Sequence, residues 1–469
     1  MRNERIQWNR CVQSVLPALI LFSWCGPARA QDDVTAIRAA RVIDGVRSRA
    51  IDDGVVVVRG AEIVAVGTAD EVEVPDGASV VDLPGHTLLP GLIDSHDHPT
   101  LRPDSLELQP MIDQRLAPGE EQMLRAIRNM RISLLGGTTT VRVTGESSGI
   151  DFQLGRAIDA GVIPGPRIIA AGMPIVATSA GAGPLWPTDG VESIRKRIRE
   201  NVLGGARFTK MYLSDTSPTT TILSREEVCA AVDESHRLGI PITSHVVGNW
   251  GVSIRVALEC GVDSFEHVRP ITDEIIELFV EHESHLNITP LIFIPGGIRW
   301  SPEIWQRLDN EMTSVEEWID FNRATIQEAR RNNPLGETED RPQDVFDIAE
   351  AGAVDYTPGI RPYQAQLLEA HRRGVPISHG TDTLHGTLLL NIEFLVEGGF
   401  TPMEAIQATT RVAADGLGLG MGDRIGTLEP GKLADIISVE GDPLAQIQDL
   451  AKVRFIMIEG RRLDPLSFH

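Results

Sequence analysis

Two histidines separated by a single residue are the first sign of chemistry in the sequence. His96 and His98 end the apolar, strand-like run that starts at Pro90. Side chains two positions apart on a strand point to the same side, so both imidazoles can reach one metal ion. In a chain of 469 residues with 12 histidines, chance supplies about 0.3 such pairs, so the pair indicates a metal site only together with further ligands.

Four further residues occupy comparable places in strand-like runs. His245 and His267 each end a run of β-forming residues, Asp382 closes another, and Lys210 lies inside a fourth. Barrel enzymes place their chemistry at the carboxyl ends of strands, and the spacing from His245 to His267 is near that of neighbouring βα units of about 30 residues. An inward lysine is unusual in a core, although a lysine with a buried stem can also extend its ammonium to the barrel mouth.

Together these six residues resemble the metal-binding residues of the amidohydrolase superfamily. The surrounding phrases look most like its prolidase and imidazolonepropionase-like branch, and the resemblance extends over nearly all of the chain after the first 30 residues. The supporting segments are Leu89–His96, Gly136–Arg142, Gly261–His267 and Gly426–Asp442.

The resemblance implies a fold and a metal centre. The fold is α/β, a distorted (β/α)8 TIM barrel flanked by a small β-sandwich built from both chain ends. Two divalent metal ions are implied, and imidazole and carboxylate ligands suit Zn²⁺ best. A carbamylated lysine bridges both ions, because a carbamate is an anion with two oxygens whereas an ammonium would be repelled. The implied ligands are His96, His98 and Asp382 for the more buried ion, His245 and His267 for the more exposed ion, and Lys210 as the bridge.

The resemblance also implies a hydrolase acting on carbon–nitrogen bonds, with dipeptidase or prolidase activity as one form. A hydroxide that bridges the metal ions attacks an amide or peptide-like bond. Asp382 acts as general base and then as general acid for the leaving nitrogen. A cyclic-amide hydrolase or a deaminase on the same scaffold is the alternative, and Lys210 favours the bridged two-metal centre over a one-metal deaminase. A catalytically silent binding protein of this fold is disfavoured because all six ligands are present.

Three other residues are candidate substrate contacts. Tyr212 lies two residues after Lys210 and shares its face, so its hydroxyl could steady an oxyanion, or it could be a tyrosine at the barrel rim. Arg142 could bind a substrate carboxylate, but a buried structural ion pair is the favoured interpretation. His385 follows Asp382 in a loop that faces the same mouth and could touch the substrate, although most loop histidines have no catalytic role.

Three segments depart from the family pattern and bear on substrate choice. These segments contain none of the metal ligands but would shape the substrate pocket. The resemblance therefore does not identify the substrate. The departing segments are Val141–Val143, Ser179–Gly183 and Met211–Ser214.

The elements that must position these residues alternate along the middle of the chain. Apolar, β-rich runs alternate with amphipathic stretches, which predicts βα units around a parallel sheet. Both ends of the chain contain short strand-like runs separated by turns, which predicts a shared β domain. The eight candidate barrel strands are Leu88–Asp94, Thr138–Val143, Arg167–Ala171, Phe208–Tyr212, Ile240–His245, Asp263–His267, Leu286–Phe293 and Val375–Asp382.

The predicted organisation has four parts and one insert. An insert at about 295–358 interrupts the barrel pattern and contains Trp300, Trp305 and Trp318. It is either a lid whose tryptophans form an aromatic wall of the pocket or a solvent-exposed surface segment whose tryptophans pack against nearby residues. The four parts are a signal peptide (1–30), the first part of the β-sandwich (31–89), the barrel (90–420) and the second part of the sandwich (421–469).

Composition and charge restrict the class of partner. The chain is 42% hydrophobic and 23% charged, which excludes a disordered chain. Its formal net charge of -23 repels nucleic acid and anionic membranes, so a small-molecule substrate is expected and no nucleic acid. The sequence predicts no stable membrane span and leaves a homo-oligomer open.

The first thirty residues predict export. Arginines precede the apolar stretch Val15–Trp24, and Ala28 and Ala30 follow it, as in a cleaved secretory signal. The mature chain would start near Gln31 and be periplasmic or secreted; a retained anchor is the alternative. Outside this segment only Cys229 and Cys260 remain, and one disulfide and two buried free thiols are both open.

Overall fold

The structure is a computed structural model, and the part described here comprises residues 34–103, 108–180, 187–247, 251–293, 301, 304, 315–332 and 360–463. The predicted signal peptide, Trp300 and Trp305 lie outside the described residues, as does most of the predicted insert. Among the described residues, no helix is both long and apolar enough to cross a membrane.

Strands and helices alternate through the middle of the chain, while both ends are mostly strands. The strands are β1 (Val34–Val42), β2 (Ile51–Arg59), β3 (Glu62–Thr68), β4 (Ser79–Pro90), β5 (Leu92–Asp97), β6 (Thr138–Val143), β7 (Arg167–Ala170), β8 (Thr209–Ser217), β9 (Thr220–Thr221), β10 (Ile242–Val247), β11 (Ser264–Glu266), β12 (His285–Ile288), β13 (Ile377–His379), β14 (Ile436–Glu440), β15 (Val453–Ile458) and β16 (Arg461–Leu463). The helices are α1 (Leu108–Leu116), α2 (Gly119–Leu135), α3 (Ile150–Asp159), α4 (Val191–Gly204), α5 (Arg225–Arg237), α6 (Val252–Cys260), α7 (Asp273–Glu281), α8 (Glu316–Asn332), α9 (Ile360–Arg372), α10 (Leu388–Glu397), α11 (Pro402–Ala408) and α12 (Arg411–Gly416).

The two ends of the chain meet in one seven-stranded sheet of order β16-β15-β14-β4-β1-β2-β3. Neighbouring strands are antiparallel except for the parallel pair of β1 and β4. Successive residues of β2 are buried on opposite faces, since Val56 packs in a cluster with Ile37 whereas Val55 packs in another with Ala36. Because both faces are covered, the run Val55 to Val58 is apolar throughout instead of alternating.

The strands of the middle segment are parallel and form two sheets. One has the order β5-β6-β7, and the other has the order β13-β12-β11-β10-β8-β9, in which only β9 pairs antiparallel. Isolated parallel bridges join Asp97 to Asp382 and Ile175 to Met211, at the two places where these sheets adjoin. The architecture is thus α/β, as predicted, but the described strands form no closed ladder, so the complete barrel stays a prediction.

Several strands differ in extent from the sequence-based expectation. The first barrel strand begins at Leu92, four residues later than predicted, because the preceding residues belong to β4. The strand before Asp382 is only Ile377–His379, so Asp382 lies in the loop beyond it. Local β propensity alone does not distinguish the residues of a strand from neighbouring residues in another strand or in extended chain.

Cys229 and Cys260 form a disulfide, which resolves the alternative left open by the sequence. Cys229 lies in α5 and Cys260 ends α6, and their Cα atoms are 4.8 Å apart. The bond therefore links two consecutive helices that pack outside the parallel strands.

Candidate metal centre

The first two candidate ligands and Asp382 meet at the carboxyl ends of β5 and β13. His96 and His98 are almost completely buried. Their Nε2 atoms lie 3.9 and 3.6 Å from Asp382 Oδ1. One ligand atom from each of the three residues falls within 4.8 Å of the others, so the three can hold one metal ion.

The other sequence-predicted ligands surround this group. The His267 ring lies 4.5 Å from the His96 ring and 4.7 Å from the His245 ring, measured between centroids. The Tyr212 ring is 4.8 Å from His245, and Lys210 Nζ is 5.2 Å from the Tyr212 ring. The six candidate ligands are buried and Tyr212 is half-buried beside them, so the seven side chains form one cluster.

Backbone geometry at two ligands is unusual and is held by hydrogen bonds. His267 and Asp382 have φ angles of 65° and 62°, in the left-handed region that favours glycine. Asp382 N donates to His96 O and His98 N donates to Asp382 O, both at 2.8 Å. This reciprocal pair fixes Asp382 against the strand that contains the two histidines.

Hydrogen bonds at the far side of the rings set the orientation of three ligands. His96 Nδ1 contacts Glu266 Oε2 at 2.7 Å, His98 Nδ1 donates to Gly145 O at 3.0 Å, and His267 Nδ1 contacts Thr289 Oγ1 at 2.7 Å. With Nδ1 engaged in this way, Nε2 is the nitrogen left to bind a metal ion.

Glu266 is a functional residue that the sequence analysis missed. It is fully buried, forms an ion pair with Arg142, and accepts a 2.6 Å hydrogen bond from Thr243 Oγ1. The signal was available, because Glu266 is a carboxylate inside an apolar strand directly before His267. Arg142 also donates from Nε to Ser95 O at 2.7 Å, so the structure places it in the buried ion pair that the sequence favoured.

His385, a predicted substrate contact, is enclosed by protein groups. Its Nδ1 lies 3.1 Å from Asp97 Oδ2 and its Nε2 lies 2.8 Å from Leu101 O. Burial lowers the pKa of His385, but the Asp97 and Asp94 carboxylates and the hydrogen bond to Leu101 O together outweigh burial and raise the pKa. Trp318 is fully buried and donates from Nε1 to His385 O at 3.1 Å, so this tryptophan is packed in the interior and supports the loop.

The electrostatics of the cluster favour metal binding. Burial, together with the Lys210 charge, lowers the pKa of His245 to about 3, and the pKa values of His96, His98 and His267 are also lowered by burial. Neutral imidazole is the form that binds metal, so these histidines need not lose a proton first. Burial also lowers the pKa of Lys210 to about 8.

Parallel βα units with imidazoles and a carboxylate gathered at the strand ends define an α/β enzyme whose site can hold a metal ion. More particularly, the chain belongs to the amidohydrolase family, since the model of that family matches residues 87–463. This membership confirms the superfamily predicted from the sequence.

Individual relatives extend the comparison. Ochratoxinase from Aspergillus niger is 27% identical over 358 residues, which is 69% of this chain and 64% of that protein, so the match spans less than two thirds of the relative. The crystal structure of a Xaa-Pro dipeptidase with bound methionine in the active site has a TM-score of 0.71 and 25% identity, covering 92% of this chain and 100% of that one. The crystal structure of A. niger ochratoxinase has a TM-score of 0.68 at 24% identity, covering 92% and 95%, and shows a shared fold.

Proposed function

We propose that this protein is a binuclear metal-dependent amidohydrolase that cleaves an amide or peptide-like bond of a small molecule. The supporting observation is the convergence of His96, His98 and Asp382, whose ligand atoms lie within 4.8 Å of one another. A cyclic-amide hydrolase or a deaminase on the same scaffold is the alternative. The names of the relatives, a Xaa-Pro dipeptidase and an ochratoxinase, support a search among dipeptides and other acylated amines.

The residues present fit two metal ions. His96, His98 and Asp382 would hold one ion and His245 and His267 the other, with Zn²⁺ the best match to these ligand types. The Lys210 Nζ is buried and has no hydrogen-bond partner among the described residues, an expensive state for an ammonium. A carbamate on Lys210 would replace that charge with two oxygens that can bridge the ions.

The chain's own residues would then manage protons and orientation. Bound metal ions supply Lewis acidity, which lowers the pKa of water and polarises a substrate carbonyl. Asp382 takes a proton from the attacking water and passes it to the leaving nitrogen. Burial raises the pKa of Tyr212 to about 12, so its hydroxyl stays protonated and can donate a hydrogen bond to the developing oxyanion.

The architecture and location that accompany this function are also proposals. We propose a complete (β/α)8 barrel over residues 90–420, with the seven-stranded sheet as part of a β-sandwich formed by residues 31–89 and 421–469. We further propose export directed by residues 1–30. The disulfide between Cys229 and Cys260 supports export, because disulfides persist in oxidising compartments.

A substrate screen tests the proposal. The protein lacking residues 1–30, loaded with zinc and bicarbonate, is assayed against N-acyl amino acids, Xaa-Pro dipeptides and cyclic amides, with release of the amine as the readout. We expect turnover that a chelator abolishes and zinc restores. Turnover of cyclic amides alone would favour the alternative, and no turnover of any class would reject the proposal.

Lys210→Ala tests the bridging role. We expect the variant to lose bound metal and activity, because the bridge is gone, and a small carboxylic acid such as propionate to restore part of both. Metal content after gel filtration and the rate on the best substrate are the measurements. Lys196→Ala, a change at an exposed lysine of α4, is the control. Normal metal content and rate in Lys210→Ala would contradict the bridge.

A further inference from the structure

Arg115 has a buried guanidinium whose Nε and Nη1 lack hydrogen-bond partners in the described part of the chain. It lies near the end of α1 and is only 6% exposed. Its Nε and Nη1 atoms are buried and have no hydrogen-bond partner among the described residues. Buried donors without an acceptor cost free energy, which an acceptor placed against Nε and Nη1 would recover.

Helix α1 is tied to the chain that follows β5, where the metal-ligand candidates lie. Gln114 Oε1 accepts from Arg102 N at 2.7 Å. Arg125 Nη1 donates to Thr100 O at 2.8 Å and to Gln114 O at 3.4 Å. These contacts fix Gln114, the residue beside Arg115, to the chain that follows the strand containing His96.

The charge of Arg115 acts on the groups of the site. After burial, Arg115 is the largest influence on the pKa values of His98, Tyr212 and Glu146. It also lowers the pKa of Asp382, which burial raises and Lys210 lowers more strongly. Because α1 is also held against the chain just beyond His98, the guanidinium lies within electrostatic range of the candidate ligands.

Glu146 is the nearby carboxylate that could neutralise Arg115 within the protein. Its oxygens instead accept from Thr100, at 3.2 Å from the backbone N and at 2.6 Å from Oγ1. No ion pair joins Glu146 to Arg115 among the described residues, and Nε and Nη1 stay without an acceptor. The two donors of Arg115 are therefore available to an acceptor that is not Glu146.

We propose that Arg115 binds a free carboxylate on the leaving-amine side of the substrate. This inference rests on the proposed function, in which Asp382 protonates the leaving nitrogen. An α-carboxylate is attached to the carbon bonded to that nitrogen, so it lies near Asp382 when the bond is cleaved. Arg115 acts electrostatically on Asp382 and is therefore a candidate partner for this carboxylate. The substrate class is then N-acyl amino acids and dipeptides, with a paired guanidinium and carboxylate as the recognition contact.

Matched substrates test the inference in the unaltered zinc-loaded enzyme. N-acetyl-methionine is compared with N-acetyl-3-(methylthio)propylamine, and N-benzoyl-phenylalanine with N-benzoyl-phenethylamine; each second compound lacks only the carboxylate. We expect kcat/KM to be about 10- to 100-fold higher for the acid of a pair, the range of a hydrogen bond to a charged group. Equal rates within both pairs would overturn the inference while leaving amide hydrolysis established. Failure to hydrolyse any compound here or in the screen would overturn both.

The variant Arg115→Met assigns the preference to this residue. We expect KM for the acids to rise and the ratio of kcat/KM between the acid and the neutral amide of each pair to fall to about one. Arg115→Lys should recover part of the preference. Arg59→Met, at an exposed arginine ending β2, should leave it unchanged. An equal loss on acids and neutral amides in Arg115→Met would contradict carboxylate recognition.

Discussion

Glu266 links a metal-ligand candidate to a buried cation. Its Oε2 is 2.7 Å from His96 Nδ1, and its carboxylate pairs with Arg142, which is also buried. One carboxylate thus orients a ligand and neutralises a guanidinium. Removing its charge should affect both metal affinity and stability.

Glu266→Gln keeps the shape of the side chain but removes its charge. We expect the free energy of unfolding to fall by about 3 to 5 kcal/mol, because Arg142 is left buried without its counter-charge. Urea denaturation at pH 7 measures this. The double variant with Arg142→Met should lose less than the sum of the single changes. A loss below about 1 kcal/mol would show that the pair contributes little.

Asp382→Asn separates proton transfer from metal binding. We expect kcat to fall by about 10² to 10⁴, the usual contribution of a general base, while metal content stays near that of the wild type because the other ligands remain. Steady-state kinetics and metal analysis are the measurements. Asp70→Asn, at an exposed turn, is the control. A kcat within tenfold of the wild type would exclude Asp382 as the base.

The candidate ligands lie at different distances in sequence from the ends of their strands. His245 lies inside β10, His267 directly follows β11, and Asp382 lies three residues beyond β13. The loops after the strands therefore determine the site as much as the strands do. One such loop, after β7, is held by Asp151 in the first turn of α3, whose Oδ2 accepts from Gly172 N at 2.7 Å.

Asp151 should make stability depend on pH. Burial raises its pKa from 3.8 to about 7 in the folded protein. Because the folded pKa is above the unfolded value, the contribution of Asp151 is complete below about pH 4 and is lost as the pH rises through about 7. Asp151→Asn should therefore gain stability relative to the wild type between pH 4 and 7. Urea denaturation of both proteins across this range is the measurement, and a constant difference would contradict it.

The parallel strands and the seven-stranded sheet are joined by a buried ion pair. Arg167, the first residue of β7, donates to Asp435 Oδ2 at 2.5 Å and to Glu459 Oε1 at 2.8 Å. Asp435 precedes β14 and Glu459 follows β15, so the contact joins the middle of the chain to its carboxyl-terminal strands. The two ends of the sequence and the site are thus parts of one packed molecule.

Arg167→Met should weaken this connection. We expect the free energy of unfolding to fall by about 3 kcal/mol, because Asp435 keeps a buried charge without its partner. Thermal and urea unfolding are the measurements. Arg207→Met, a change at a nearby exposed arginine, should alter stability by less than about 0.5 kcal/mol. Equal effects of the two changes would remove the ion pair as the cause.

The sequence by itself determined the metal-ligand candidates and the family. Histidines and an aspartate after strand-like runs are local patterns, and a parallel βα fold brings the carboxyl ends of its strands to one edge, so convergence follows from spacing. The alternation of apolar runs and amphipathic stretches likewise determined the α/β class.

Only the tertiary structure decided which buried charges are paired. Glu266 contacts His96 across 170 positions of sequence. Within the residues that the structure describes, Nε and Nη1 of Arg115 have no hydrogen-bond partner, although nothing in its own helix distinguishes it. The sequence also left the pairing of Cys229 and Cys260 open, and the tertiary structure decided it. The physical reason is that periodicity reports which side of an element is buried, whereas pairing depends on the register of elements distant in sequence.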